Sequence, residues 1–156
     1  MGVLAHERVD LVVCLEEAVD PLRGFAREKG LLLSVVSAPA IVEGDAVLVR
    51  QAISNIVRNA IVYNVAGGAV AVRIERGEGR DVVVVNDGPI ADPERIPELV
   101  KPFVRGKGRS LTRGRGHGLG LAIAKAVMDA HHGRLEMEAR PSGGLVVRLS
   151  FPPVVA

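Results

Sequence analysis

The segment from residue 114 to residue 125 constrains the fold of this 156-residue chain more than any other stretch. Glycine occupies alternate positions at Gly116, Gly118 and Gly120, so the backbone there can adopt positive φ values and approach a ligand closely. Apolar residues then recur at helical spacing from Leu119 to Val127, which predicts a helix that begins within the glycine loop. The N-terminus of such a helix offers unpaired N–H groups, and these favour a phosphate ligand.

The composition excludes several classes of protein. Twenty basic and eighteen acidic residues give a net charge of +2, which is too close to neutral for a dedicated nucleic-acid binder. Aromatic residues make up only 3% of the chain, so a base-stacking platform is not expected either. Cys14 is the single cysteine, which excludes an internal disulfide. No apolar run approaches the ~20 residues of a membrane span. We therefore expect a cytoplasmic domain with no direct membrane contact.

Hydrophobic periodicity predicts an α+β domain with one sheet and helices on one of its faces. A first amphipathic helix is predicted over residues 11–29, although Pro21 and Gly24 disfavour its middle. Asp45 is expected to cap a second helix that runs to Tyr63. The remaining predicted elements are strands at 31–36 and near 41–42, a hairpin of strands at 69–75 and 81–86, a mobile basic loop at 105–116, the glycine-led helix to about residue 131, and closing strands at 134–139 and 145–151.

Asn55, Asn59 and Tyr63 are each four residues apart on the second helix and therefore form one stripe. Asparagine is a mediocre helix former, so two of them on an otherwise apolar helix are unusual. A polar surface stripe would account for the pattern. The alternative is an amide oxygen offered to Mg²⁺, a hard cation that prefers oxygen ligands and keeps phosphates as its other partners.

A second polar group, Asn86-Asp87-Gly88-Pro89, follows the predicted strand at 81–86. By itself it is typical of an Asx-type turn. The basic residues between 105 and 115 are consistent with a solvated loop. They could also fold over anionic phosphates, which arginine binds in a bidentate way.

Taken together, these segments resemble the catalytic ATP-binding domain of sensor histidine kinases, within the gyrase, Hsp90, histidine kinase and MutL superfamily. Asn55-Ile-Val-Arg-Asn59-Ala60 resembles the N box of that family, and Asn86-Asp87-Gly88 resembles its G1 box. Lys101-Pro-Phe103-Val-Arg105-Gly resembles the F box, and Gly116-His-Gly118-Leu-Gly120-Leu the G2 box. The resemblance implies a catalytic domain over residues 8–152, an N-terminal extension at 1–7 and a tail at 153–156.

The resemblance also implies a fold and a site. The fold would be a Bergerat-type two-layer α/β sandwich, with a mixed sheet of about five strands, three main helices and a mobile ATP lid at residues 89–115. Asn59 would ligate Mg²⁺, with Asn55 as its companion one turn earlier, and Arg105 would reach the γ-phosphate; Asn55 and Arg105 are the expected catalytic residues. The other expected nucleotide-binding residues are Tyr63 near the adenine, Asn86, Asp87 and Gly88 at the turn, Phe103 in the lid, and Gly116, His117, Gly118, Leu119, Gly120 and Leu121 at the phosphate loop.

Three positions depart from the family pattern. Asn86 stands where the family usually has an aspartate that accepts a hydrogen bond from the adenine amino group. An amide oxygen can also accept that bond, and Asp87 could take the role only if the strand register shifted by one. Val62 replaces the usual lysine before Tyr63, and Pro89 leads directly to Ile90 without the second G1 glycine.

The resemblance implies that the chain binds Mg-ATP and presents its γ-phosphoryl group to a histidine on a dimerisation domain, in the same parent kinase or on another protein. A response regulator would be the indirect partner, and the isolated chain would be a monomer. Asn55 occupies a position where ATP-hydrolysing relatives carry glutamate, so slow intrinsic hydrolysis is expected. The chain could be an excised fragment or one half of a split kinase.

Two other functions are compatible with parts of the sequence. An anti-sigma factor of the serine-kinase type shares the fold but lacks a well-formed F box, so Phe103 and Arg105 favour the histidine kinase. A degenerate nucleotide sensor that binds weakly and transfers nothing is suggested by Asn86 and Val62. The first seven residues include His6, but no helical pattern typical of a phospho-accepting histidine surrounds it.

Overall fold

The computed structural model describes residues 5–89 and 117–154, and of residues 117–119 only the backbone. The described elements are β1 (Glu7–Asp10), α1 (Leu11–Val19), a 3₁₀ turn (Asp20–Leu22), α2 (Arg23–Glu28), β2 (Leu32–Val36), β3 (Ile41–Gly44), α3 (Ala46–Val62), β4 (Ala69–Arg76), β5 (Arg80–Asn86), α4 (His117–Ala130), β6 (Arg134–Ala139) and β7 (Leu145–Phe151). Of the predicted lid at 89–115, only Pro89 is among the described residues.

Five strands form one mixed sheet in the order β2-β4-β5-β7-β6. Strands β2 and β4 are parallel, and every other neighbouring pair in this sheet is antiparallel. The helices contact one face, where alternate residues of the central strands are buried, including Val72, Val84 and Leu149. The predicted mixed sheet with three main helical segments in an α/β sandwich is thereby confirmed.

A second sheet was not predicted. Strand β3 pairs in antiparallel fashion with β1, so that Val9 lies opposite Val42 and both side chains are buried. The same end of the chain reaches the start of α3, because the Ala5 backbone N–H donates to Asp45 Oδ2 and the Ala46 N–H donates to Glu7 Oε2. These contacts connect part of the predicted N-terminal extension to the domain.

The ends of the helices follow local chemistry. Asp45 caps α3 as predicted, since its Oδ1 accepts from the N–H groups of Val47 and Leu48. The predicted first helix is interrupted at Pro21, where a 3₁₀ turn separates α1 from α2. Helix α2 ends with Gly30 at φ 73°, in the left-handed region where glycine carries no steric cost.

No helix in the described parts of the chain is both long and apolar enough to cross a membrane.

Candidate functional site

Helix α3 carries two side-chain atoms that are buried without a hydrogen-bond partner among the described residues: Asn59 Oδ1 and Asn55 Nδ2. Asn59 is only 5% exposed. A buried amide atom left without a partner costs about 1–3 kcal/mol, so folded proteins seldom retain one unless a water, an ion or a ligand completes its hydrogen bonding. Asn59 therefore lies inward, so the alternative of a polar surface stripe is wrong for this residue, while Asn55 and Tyr63 are partly buried.

The N-terminal part of α4 lies against these asparagines. A Cβ atom built on Gly120 would be 3.9 Å from the Cβ and Cγ atoms of Asn55, so Gly120 faces the asparagine stripe directly. Leu121, the next residue, is almost fully buried in the core. The helix begins at His117, which confirms that the glycine segment leads directly into a helix.

The C-terminal end of α3 meets the turn that follows β5. A Cβ atom on Gly88 would lie 2.8 Å from the backbone oxygen of Tyr63, so only glycine allows the turn to approach the helix this closely. Tyr63 is half-buried, and the loss of solvent around its hydroxyl raises the pKa of that group. The turn and the tyrosine predicted to flank the adenine are therefore in contact.

Asn86 is the last residue of β5 and is paired with Val70 on one side and Leu145 on the other. Its side chain is buried, with 3% of the residue exposed, and its Nδ2 donates to the Asp87 backbone oxygen at 2.8 Å. The amide oxygen is therefore the end of this side chain that can accept a hydrogen bond from a ligand. The described ladder continues unshifted to Asn86, so the register places Asn86 at the end of the strand.

Both carboxylate oxygens of Asp87 accept hydrogen bonds from neighbouring residues. Its Oδ2 accepts from the Ala69 N–H at 2.9 Å, and its Oδ1 accepts from Arg140 Nη1 at the same distance. The Arg140 guanidinium, together with the Ala69 N–H, holds the pKa of this carboxyl below its ordinary value. Both carboxylate oxygens thus organise the turn.

The turn between β6 and β7 supports the β5 turn, a role that sequence analysis missed. Gly143 and Gly144 have φ values of 110° and 89°, and a Cβ on either would collide with a backbone oxygen, of Gly88 and of Asn86 respectively. The Gly144 N–H donates to Pro89 O at 3.0 Å. The sequence marked Pro141-Ser142-Gly143-Gly144 only as a strand connection, because its contact with residues 86–89 is a tertiary one.

The residues present suit a magnesium-bound nucleotide. Asn59 supplies a buried, unpartnered oxygen of the kind that Mg²⁺ prefers, and no three His, Cys, Asp or Glu side chains in the described segments come together as an alternative cation site. Asn86 supplies an acceptor, and α4 presents its N-terminal end beside Asn55. Phe103, Arg105 and Gly116 lie outside the described residues, as do the side chains of His117 and Leu119.

Comparison with known proteins agrees with this arrangement. The family model for the histidine kinase-, DNA gyrase B- and HSP90-like ATPases matches residues 44–155. The chain is 35% identical over 153 residues to the sensor protein CutS of Streptomyces coelicolor, covering 96% of this chain and 37% of CutS. It is 38% identical over 143 residues to the probable sensor kinase SilS of Salmonella typhimurium, covering 87% of this chain and 29% of SilS. The chain thus spans about a third of the length of these relatives.

Solved structures share the fold along nearly the whole chain. The mycobacterial sensor histidine kinase MprB superposes with a TM-score of 0.79 at 27% identity, covering 96% of this chain and 100% of that structure. Full-length ShkA in complex with AMPPNP gives a TM-score of 0.83 at 23% identity over 99% of this chain and 32% of ShkA, which shows the fold alone. The chain therefore belongs to the histidine kinase-, DNA gyrase B- and HSP90-like ATPase family, as a catalytic ATP-binding domain of the sensor histidine kinase type.

Proposed function

We propose that this chain binds Mg-ATP between α3 and the β5 turn and donates the γ-phosphoryl group to a histidine on a separate domain or protein. The observation that carries the proposal is the buried and unpartnered Oδ1 of Asn59, beside the glycine-led α4. An amide oxygen in that position has no evident structural role, and its desolvation cost would be recovered by a cation.

The described residues suggest how the nucleotide would be held. Asn59 Oδ1 would ligate Mg²⁺, with Asn55 one turn away, and Asn86 Oδ1 would accept a hydrogen bond from the adenine amino group. Tyr63 would lie beside the base, and Gly88 would leave room for it. We assign the remaining contacts, on resemblance, to Asp87 through its turn, to Phe103 and Arg105 in the lid, and to residues 116–121 at the phosphates.

Positioning and charge neutralisation would provide most of the catalysis, as phosphoryl transfer generally requires. Bound Mg²⁺ would offset negative charge on the phosphates during the reaction. The bond from the γ-phosphorus to the β,γ-bridging oxygen would break, a bond to an imidazole nitrogen of the acceptor would form, and ADP would leave. A neutral imidazole is already nucleophilic, so Asn55 need not act as a base, and slow hydrolysis of ATP by the chain alone is expected.

The acceptor histidine would lie on a dimerisation domain of the parent kinase or of a partner protein, and a response regulator would receive the phosphoryl group afterwards. The chain would work in the cytoplasm, as a monomer when isolated. These assignments extend what the sensor-kinase relatives suggest to this chain.

Incubation with γ-labelled ATP and a separately purified histidine-bearing dimerisation domain tests the proposal. We expect label on the added domain, stable in base and labile in acid as a phosphorus–nitrogen bond is, and no label when its acceptor histidine is replaced by glutamine. Acid-stable label on a serine would favour an anti-sigma kinase. Label only on this chain, or fast ATP hydrolysis without transfer, would reject the proposal.

A further inference from the structure

We infer that Arg140 is a positioning residue for the nucleotide base: it fixes Asp87 through the Asn86 carbonyl and the Asp87 carboxylate, and the Asp87 carbonyl in turn holds the Asn86 amide so that the amide oxygen faces the ligand as the acceptor. The inference rests on the proposed function and deepens it, because it concerns how the site distinguishes a 6-amino purine from a 6-oxo purine. It depends on Arg140, which none of the sequence motifs includes.

An asparagine in this position needs to be oriented, whereas a carboxylate does not. The two ends of an amide are chemically opposite, since the oxygen accepts and the NH₂ group donates. The 6-amino group of adenine donates a hydrogen bond, and the 6-oxo group of guanine accepts one. An Asn86 side chain free to rotate by 180° could therefore satisfy either base.

The structure fixes one orientation. Asn86 Nδ2 donates to the Asp87 carbonyl at 2.8 Å, and a carbonyl oxygen can only accept. Rotation of the amide would place Oδ1 against that carbonyl in a site where Asn86 is buried from water. The lost bond would remain uncompensated there.

Arg140 fixes Asp87, the residue that provides this carbonyl, from its side chain and from the peptide before it. Its Nη1 donates to Asn86 O at 3.0 Å and to Asp87 Oδ1 at 2.9 Å, so it spans both sides of the Asn86–Asp87 peptide bond. The backbone N–H of Arg140 donates to Gly144 O at 3.0 Å, which anchors the arginine in the β6–β7 turn. Ala69 completes the frame, because it donates to the Asp87 carboxylate and accepts from the Asp87 N–H.

The ratio of the dissociation constants for Mg-GTP and Mg-ATP, measured by calorimetry on the whole chain, tests this inference. We expect Arg140→Met to reduce the ratio by about 10-fold, the equivalent of one hydrogen bond in discrimination. Arg140→Lys keeps a charged donor and should retain most of the ratio. Arg148→Met is the matched control, because Arg148 is also ion-paired and has 31% of its side chain exposed against 29% for Arg140, but it lies on β7 with Glu75 and Asp81 as partners.

The same ratio measured in the Asn86→Asp background distinguishes two roles of Arg140. It tells whether Arg140 orients the Asn86 amide or only supports the turn as a whole. A carboxylate has two accepting oxygens, so Arg140→Met should leave the ratio within about twofold in that background. In the unliganded chain, NMR can measure how fast the Asn86 Nδ2 protons exchange with solvent. We expect this rate to be about 10-fold higher in Arg140→Met than in the wild type.

An equal reduction of the ratio in both backgrounds, or an unchanged ratio in Arg140→Met, would overturn the inference while leaving ATP binding intact. A wild-type chain that binds neither nucleotide would reject the proposed function and the inference with it.

Discussion

The imidazole of His131 joins the end of α4 to the start of α3, because its Nε2 accepts a hydrogen bond from the Asp45 backbone N–H at 3.0 Å. Its Nδ1 donates to the Val127 carbonyl at 2.8 Å, which fixes the neutral tautomer in this arrangement. The ring also meets Phe151 edge to face. The sequence predicts only that the glycine-led helix ends at about residue 131, whereas in the structure the buried His131 side chain connects the two helices that carry the site.

We expect His131→Ala to lower the free energy of unfolding by about 2–4 kcal/mol, since it opens a cavity where the buried imidazole stood and leaves the partly buried Asp45 N–H without its partner. Urea denaturation measures this loss, and His132→Asn on the exposed neighbour provides the control.

Gly44 allows a second test of how His131 is packed, because a Cβ atom on Gly44 would collide with the His131 ring. Gly44→Ala should destabilise the wild type but cost little in the His131→Ala background, where the space is vacant. Additive effects of the two substitutions would contradict the packing described here.

His132 is the one non-glycine residue with positive φ among those described, at 60°, in the position after the α4 cap that glycine usually fills. The motif is complete, since the Gly133 N–H donates to Met128 O and the His132 N–H donates to Asp129 O. His132→Gly should therefore raise the free energy of unfolding by about 1 kcal/mol. His132→Val should lower it, and a gain in stability from valine would show that the left-handed conformation is absent in solution.

Glu75 contributes stability that depends on pH. Hydrogen bonds from Arg73 and then Arg148 lower the pKa of this carboxyl in the folded state. Because the folded pKa is lower than the unfolded one, the contribution is present above about pH 5 and is lost as the pH falls through the folded pKa. Glu75→Gln should cost up to about 1 kcal/mol at pH 7, as expected for a half-exposed network. Denaturation at pH 7 and pH 3 checks this, and an equal cost at both values would refute it.

We expect Asn59 of α3 to lower the stability of the chain without nucleotide and to be needed for ligand binding. Asn59→Leu removes an unpartnered buried oxygen and should raise the free energy of unfolding without nucleotide by about 1 kcal/mol. The same change should abolish the rise in melting temperature that Mg-ATP gives the wild type. Thermal unfolding with and without nucleotide measures both effects. A destabilised Asn59→Leu variant would indicate that the Asn59 amide has a structural role.

Local patterns in the sequence predicted most of the fold. Asp45 indicated the start of α3 through its capping side chain, and the two β-rich runs at 69–75 and 81–86 indicated the β4–β5 hairpin. Strand β1 has a single apolar residue, Val9, so nothing local distinguishes it from a loop; its partner β3 lies more than thirty residues away. Asn55 and Asn59 were recognisable because polar residues are conspicuous on an apolar helix.

The supporting contacts of the site could not be predicted in the same way. Arg140 and Asp87 are 53 residues apart, and each is unremarkable where it stands in the sequence. Their pairing follows from the strand order β5-β7-β6, which brings the β6–β7 turn beside the end of β5. A sequence pattern indicates residues that a ligand needs, whereas the residues that orient them become evident only from the packed sheet.

Calorimetric titration of ATP into the chain, with and without Mg²⁺, tests the central claim most directly when wild type, Asn59→Leu and Asn59→Asp are compared. We predict that Mg²⁺ strengthens ATP binding to the wild type by at least about 10-fold, as one ligated oxygen would. Asn59→Leu should lose that dependence, and Asn59→Asp, which keeps an oxygen ligand, should retain it. Mg²⁺-dependent binding of equal strength in wild type and Asn59→Leu, or no ATP binding by the wild type, would contradict the account.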